Sequence, residues 1–237
     1  MNGDSTRDDR AMLGMSESSG SAAPEQQTFD GVRKPLPRTA ERERVTRETD
    51  IAVALNLDSL PADPAMSEIT TGVPFLDHML DAFARHGRFT LAVRATGDTH
   101  IDDHHTVEDV GLVLGQTFLA ALGERRGIAR FGYAYAPMDE SLARAAVDIS
   151  GRPYLVFAPG TVNLSARLGT FDPALVEEYW RAFTNEARLA LHLDILRGAN
   201  SHHAIEAVYK AAGLALRAAT RVDSQDDRVP STKGMLG

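Results

Sequence analysis

One five-residue motif in this chain is written twice, and the repeat constrains the fold more than any other feature. His104-His105-Thr106-Val107-Glu108 returns as His202-His203-Ala204-Ile205-Glu206, and upstream the Ala82-Phe83 of one amphipathic segment returns as Ala182-Phe183 of another. In that register His78 corresponds to Glu178. Recurrence in the same order predicts an internal duplication, in which each copy is a small unit that buries its apolar face against the other.

The apolar pattern says what each copy contains. Ile51, Val53 and Leu55 alternate as in a strand. Pro74 opens a helix carrying Phe75, Met79, Leu80 and Phe83, with Gly87 placed to end it in a left-handed conformation. Phe89, Leu91 and Val93 form a strand, and a polar turn over 96–103 leads to a helix bearing Val107, Val110, Leu114 and Phe118, with Gly123 after it. The second copy follows suit: strands over 142–149 and 154–157, a helix from Asp172-Pro173 to about Ala187, a strand over 189–193, and a helix from Ser201 to near Thr220. The expected class is α+β, with duplicated sheet-plus-two-helices halves packed into one domain. Its divisions are a disordered N-terminal arm over 1–40, half-units over 41–135 and 136–225, and a C-terminal tail over 226–237. The arm is expected from a run of Ser, Gly, Pro, Asp and Arg without apolar period, and a Pro- and Asp-containing loop runs from Asp58 to Asp63.

Composition narrows the function classes. With 33 acidic against 25 basic side chains, net charge offers nothing to a phosphate backbone, so nucleic acid is not an expected partner. The absence of cysteine removes disulfides, thiolate metal sites and thiol nucleophiles together. No apolar stretch approaches the roughly 20 residues that span a bilayer, and Asp4, Asp8 and Asp9 stand where a signal peptide would be apolar. The expectation is a soluble cytoplasmic protein with no membrane partner.

The histidines point to metal. Of eight, five fall between His78 and His105 and the other three between His192 and His203. In each His-His-x-x-Glu segment the Glu lies four residues after the first His and three after the second, so all three side chains leave the same end of one helix. Adjacent residues diverge by about 100 degrees around a helix, so paired histidines serve two ions rather than one. Nitrogen and carboxylate donors without sulfur suit manganese, iron, zinc or nickel. His86, beside a helix-ending Gly, reads as a residue favoured by the helix dipole, and His100 and His192 read as structural.

Four segments together resemble the imidazoleglycerol-phosphate dehydratase family: Gly72-Val73-Pro74-Phe75-Leu76-Asp77-His78-Met79-Leu80, Asp102-Asp103-His104-His105-Thr106-Val107-Glu108-Asp109, Asn200-Ser201-His202-His203-Ala204-Ile205-Glu206 and Ser231-Thr232-Lys233-Gly234. The resemblance runs from about Arg44 to the C-terminus. It implies two manganese ions (Mn2+) per subunit at subunit contacts, in trimers that assemble into a 24-subunit shell. By position, one ion takes His78, His105, Glu108 and His203, and the other takes His104, His202, Glu206 and Glu178. The family has a histidine at the last of these positions in several relatives, so Glu178 is a departure that a carboxylate can still accommodate.

The resemblance also implies a small phosphorylated imidazole substrate. Its phosphate would meet Arg130, Arg152, Lys210, Ser231 and Lys233, residue types that grip phosphate through paired guanidinium donors, ammonium charge and a hydroxyl. Removal of water from imidazoleglycerol phosphate then gives imidazole acetol phosphate, a step of L-histidine biosynthesis. Metal on the imidazole would favour its deprotonation, which expels the adjacent hydroxyl before the carbon proton leaves and the enol becomes a ketone. Glu48, Glu206 and His78 are the catalytic candidates, with Glu48 expected near the hydroxyls and Glu206 as a proton acceptor. Two other classes use the same histidines: a binuclear phosphohydrolase, which normally leans on bridging Asp residues absent from these motifs, and a metal-binding assembly protein without chemistry.

Overall fold

The computed structural model describes residues 38–58, 68–223 and 225–236. The expected disordered arm lies outside the described residues except for 38–40, and so does most of the loop after Asp58.

Two copies of one topology follow each other. The first comprises β1 (Thr39–Val45), β2 (Thr49–Asn56), β3 (Glu68–Thr70), α1 (Pro74–Gly87), β4 (Thr90–Gly97) and α2 (His104–Leu122). The second comprises β5 (Phe131–Met138), β6 (Ser141–Asp148), β7 (Tyr154–Ala158), α3 (Leu175–Ala187), β8 (Ala190–Arg197) and α4 (Ser201–Thr220). The sheet orders are β1-β2-β4-β3 and β5-β6-β8-β7. In each, an antiparallel hairpin pairs with the central strand, and a short strand joins that same strand in parallel after a helical crossover.

Three strands escaped the sequence pattern. In β1, TAERERV, no residue is buried, because the strand lies at a sheet edge and its charged side chains meet solvent. β3 spans three residues, too few for a period. β5 carries exposed Phe131, Tyr133 and Tyr135 on its outer face and small Gly132, Ala134 and Ala136 on the other, which inverts the usual contrast. Strand pairing places β5 in the second sheet from Phe131 onward.

The end of α1 also differs from expectation. Arg88, not Gly87, takes the left-handed conformation, and Arg188 does the same after α3. Gly87 is needed for space, since a side chain there would collide with the ring of Phe89.

The two units share one core. Ile51, Val53 and Leu55 of β2 and Leu191, Leu193 and Ile195 of β8 are buried with the apolar faces of all four helices in a single cluster. The helices pair across the duplication: α1 packs on α4, and α2 packs on α3. Small residues decide how closely. A methyl group at Gly213 would stand 2.5 Å from the carbonyl oxygen of Phe83, and one at Gly115 would stand 2.5 Å from that of Phe183. These are the same contact in the two copies, with backbone against backbone where a Cβ cannot fit. Among the described residues, no helix is long and apolar enough to cross a membrane.

Gly213→Ala must push α1 off α4. We expect a loss of about 1–3 kcal/mol in urea unfolding, in line with core overpacking.

Candidate metal centre

The pairing of α1 with α4 assembles the site. His78 lies in the second turn of α1, and His202 and Glu206 lie in the first turns of α4. Glu206 Oε2 is 3.2 Å from both His78 Nε2 and His202 Nε2. One ligand atom from each of the three residues lies within 4.8 Å of the others, two nitrogens and a carboxylate oxygen converging on one point. This donor set fits a borderline divalent cation. The start of α4 is held by Asn200, whose side chain accepts from the backbone N–H of His202 at 2.9 Å. Phe75 stacks edge-on against the His202 ring at 5.3 Å, which fixes its plane.

Glu206 is buried, and its other oxygen accepts from Lys210 Nζ at 2.7 Å. Burial works against its charge, but the Lys210 ammonium and His78 outweigh that and hold the carboxyl below its usual value. A buried carboxylate that stays ionised is suited to hold a cation or accept a proton.

The corresponding cluster in the first half is looser. His104 Nε2 is 3.7 Å from Glu108 Oε2, and both side chains are nearly half exposed. Glu178 is half-buried on α3, while its neighbours Tyr179 and Trp180 are fully buried in the core. No group as tight as that of His78, His202 and Glu206 includes Glu178 among the described residues.

The expected grouping of ligands is therefore corrected within one chain. His78 was expected with His105, Glu108 and His203, and it stands with His202 and Glu206 because α1 lies on α4 rather than on α2. Paired histidines diverge as helix geometry requires. The rings of His202 and His203 are 6.2 Å apart and nearly perpendicular, as are those of His104 and His105 at 6.1 Å. His105 and His203 both direct Nδ1 to a carboxylate from outside their own helix. His105 Nδ1 is 3.0 Å from Asp98, and His203 Nδ1 is 2.9 Å from Glu140. These carboxylates raise the proton affinity of both imidazoles. Glu48, in the β1–β2 turn, reaches within 4.0 Å of His105 Nδ1 and is largely exposed. Asp98 and Glu140 were missed in the sequence because neither belongs to a repeated motif.

The phosphate-binding candidates collect elsewhere. Arg130 is paired with Asp148 at 2.7 Å and donates to the carbonyl oxygen of Pro230, next to Ser231. Its own N–H meets the carbonyl of Ala219 in the last turn of α4. Arg152 is exposed beyond Ser150, in the turn after β6, and Lys233 is exposed on the tail. About 20 Å of helix, at 1.5 Å per residue, separates Glu206 from Ala219. Lys210 stands apart from this group, committed to Glu206. Of the remaining histidines, His192 is exposed on the sheet's outer face, His100 is exposed in the turn before α2, and His86 is half-buried in the last turn of α1.

The family described as imidazoleglycerol-phosphate dehydratase matches this chain over residues 71–216, from before α1 into α4. A protein of that name from Burkholderia lata is 54% identical over 201 residues, 84% of this chain and 100% of the relative. One from Prochlorococcus marinus strain AS9601 is 51% identical, covering 84% and 96%. Among solved structures, imidazoleglycerol-phosphate dehydratase from Staphylococcus aureus superposes with a TM-score of 0.68 at 42% identity, covering 78% of this chain and 99% of that one. IGPD from Pyrococcus furiosus, in complex with (S)-C348, gives 0.67 at 36%, covering 82% and 100%. With a matched segment that spans most of all four helices and relatives aligned across their full length, this chain is a member of the imidazoleglycerol-phosphate dehydratase family.

Proposed function

We propose that this dehydratase works with two manganese ions per subunit, at sites that neighbouring subunits complete, and removes water from imidazoleglycerol phosphate to give imidazole acetol phosphate. The observation that carries the reading is the convergence of His78, His202 and Glu206 on one point, while His105 and His203 each hold Nδ1 against a carboxylate from outside their own helix, which leaves Nε2 on the far side of the ring. Three donors leave a tetrahedral or octahedral cation incomplete, and the outward histidines of another subunit are the natural supplement. One ion would then have His78, His202 and Glu206 with a partner's His105. The other would have His104, Glu108 and Glu178 with a partner's His203.

The separation of the phosphate-binding candidates supports the same conclusion. Arg130, Arg152, Ser231 and Lys233 sit at the end of the unit opposite Glu206, far beyond the reach of a three-carbon phosphate ester. A single substrate can meet both only if the cations of one subunit face the phosphate cradle of another. That arrangement suits trimers joined into a 24-subunit shell.

Bound at this centre, a divalent cation supplies Lewis acidity to the substrate imidazole and eases loss of its ring proton. The chain does the rest. Glu206, ionised and held by Lys210, orients the imidazole-binding ligands and can take a proton. Glu48, exposed beside His105, is placed to accept the carbon-bound proton or to hydrogen-bond the hydroxyls. Arg130, whose donors already match a carboxylate, is preshaped for a phosphate that displaces Asp148 or shares its guanidinium. The hydroxyl leaves as water, and the enol that remains becomes the ketone. A cysteine-free dehydratase of amino-acid synthesis suits the cytoplasm.

Purified protein incubated with manganese and imidazoleglycerol phosphate should form the acetol phosphate without releasing inorganic phosphate, followed by mass spectrometry and a phosphate assay. Free phosphate would favour a hydrolase, and no turnover a binding protein. Metal analysis should give close to two manganese ions per chain in the parent and a weakened second ion in Glu178→Ala, whereas unchanged stoichiometry and affinity would remove Glu178 from the ligands. Stripping with a chelator should reduce the sedimenting species to small oligomers, because ligands shared between chains couple binding to assembly. A shell that persists without metal would count against shared ligands.

A further inference from the structure

The two copies answer one problem in different ways. Glu48 in the β1–β2 turn and Glu140 in the β5–β6 turn occupy the same place, each followed by a buried hydroxyl residue, Thr49 and Ser141. Gly97, where a Cβ would strike Thr106 Oγ1 with Thr49 at 3.4 Å, and Gly198, where one would strike Ser141 Oγ at 2.5 Å, mark the equivalent ends of β4 and β8. The residue that follows is Asp98 in one copy and Ala199 in the other. Asp98 places both carboxylate oxygens beside His105 Nδ1, at 3.0 and 3.3 Å. Ala199 has no carboxylate to offer. Glu140 reaches across instead: one oxygen lies 2.9 Å from His203 Nδ1, and the other accepts the backbone N–H groups of Ala199 and Asn200 at 3.2 and 2.9 Å.

An ionised carboxylate can only accept a hydrogen bond, so the imidazole nitrogen that faces it must carry the proton. We infer that Asp98 and Glu140 are positioning residues that fix His105 and His203 in the Nδ1–H tautomer and aim each bare Nε2 outward, toward a cation shared with a neighbouring subunit. This rests on the proposed metal reading for its purpose, though not for its geometry. The other groups facing these imidazoles are few. Glu48 is 4.0 Å from His105 Nδ1, and Asp139 is 3.8 Å from His203 Nδ1, both beyond hydrogen-bond length. The division of labour also explains why Glu48 is free. Asp98 has taken over the histidine in the first copy, so the carboxylate that is occupied in the second copy remains open to substrate in the first.

Glu140→Gln is the test. The backbone N–H groups of Ala199 and Asn200 claim the single amide oxygen, which turns the amide nitrogen toward His203 Nδ1 and forces the proton to Nε2. Magic-angle-spinning 15N spectra of metal-free, histidine-labelled full-length protein at pH 8.5, with His203 assigned from its missing signal in His203→Gln, should show the bare nitrogen move from Nε2 to Nδ1. Manganese titration followed by electron paramagnetic resonance should show one of the two ions weakened about 10- to 100-fold, the range for removing such a partner from a metal-binding histidine. Glu140→Asp should keep the parent tautomer and recover part of the affinity, and Asp98→Leu, which removes the acceptor facing His105 Nδ1, should release His105 to the Nε2–H tautomer and weaken the other ion. An unchanged tautomer with manganese affinity within twofold of the parent would overturn the inference. A tautomer shift in a protein whose parent takes up no manganese would uphold the positioning role and overturn the metal reading. If Glu140→Gln does not fold by circular dichroism, Asp98→Leu carries the same decision through His105.

Discussion

The structure depends on two places where helix backbone touches helix backbone. Gly213 lets the carbonyl of Phe83 come against α4, and Gly115 lets that of Phe183 come against α2. At ordinary helix spacings of 8–10 Å, side chains at the contact hold first-turn residues of neighbouring helices apart. The glycines remove that spacer about three turns from the histidines of their own helices. His78 can then meet Glu206 at 3.2 Å although the two come from different halves. The candidate cluster of His78, His202 and Glu206 therefore draws on both halves, because α1 of one copy packs on α4 of the other.

How much of this was legible follows from what kind of signal each element leaves. The repeated His-His-x-x-Glu segments, the helices that carry them and the alternation of β2 were readable, since burial on one face imposes a period. The ligand residue types could be named for the same reason, because spacing on one helix fixes which side chains share an end. Which helix packs on which was not readable. The repeat says that α1 has a counterpart in α3, but the choice of α4 over α2 as its neighbour depends on the fit of Gly213 against Phe83, a contact between residues far apart in sequence. For that reason the spacing did not place His78 beside His202 and Glu206, where it stands within the chain. β1 and β5 were hidden because their exposed faces carry charge or aromatic rings, and an edge or outer surface leaves no apolar stripe.

Asp98 and Glu140 were hidden for a subtler reason. A ligand must be a particular residue type at a particular place, so duplication preserves it as a visible repeat. A partner that merely orients a ligand can approach from any direction, and the two copies use different ones: Asp98 from seven residues before His105, and Glu140 from a distant hairpin turn. Extending the repeat register into the hairpins would have aligned Glu48 with Glu140, and this was the available clue.

Asymmetry between the copies is what one would require of a site that must do chemistry rather than only bind. A fully symmetric duplication would hold two cations alike and treat the two ends of a substrate alike. Here one glutamate, Glu206, is buried and paired with Lys210, whereas its counterpart Glu108 is nearly half exposed with Leu112 at the position equivalent to Lys210. One hairpin glutamate clasps a histidine, and its counterpart Glu48 stands open. Each difference moves charge or hydrogen-bonding capacity from one copy to the other while the helix geometry stays fixed. A substrate with an imidazole at one end and a phosphate at the other is itself asymmetric, and the substitutions within the repeat let a symmetric scaffold distinguish its ends.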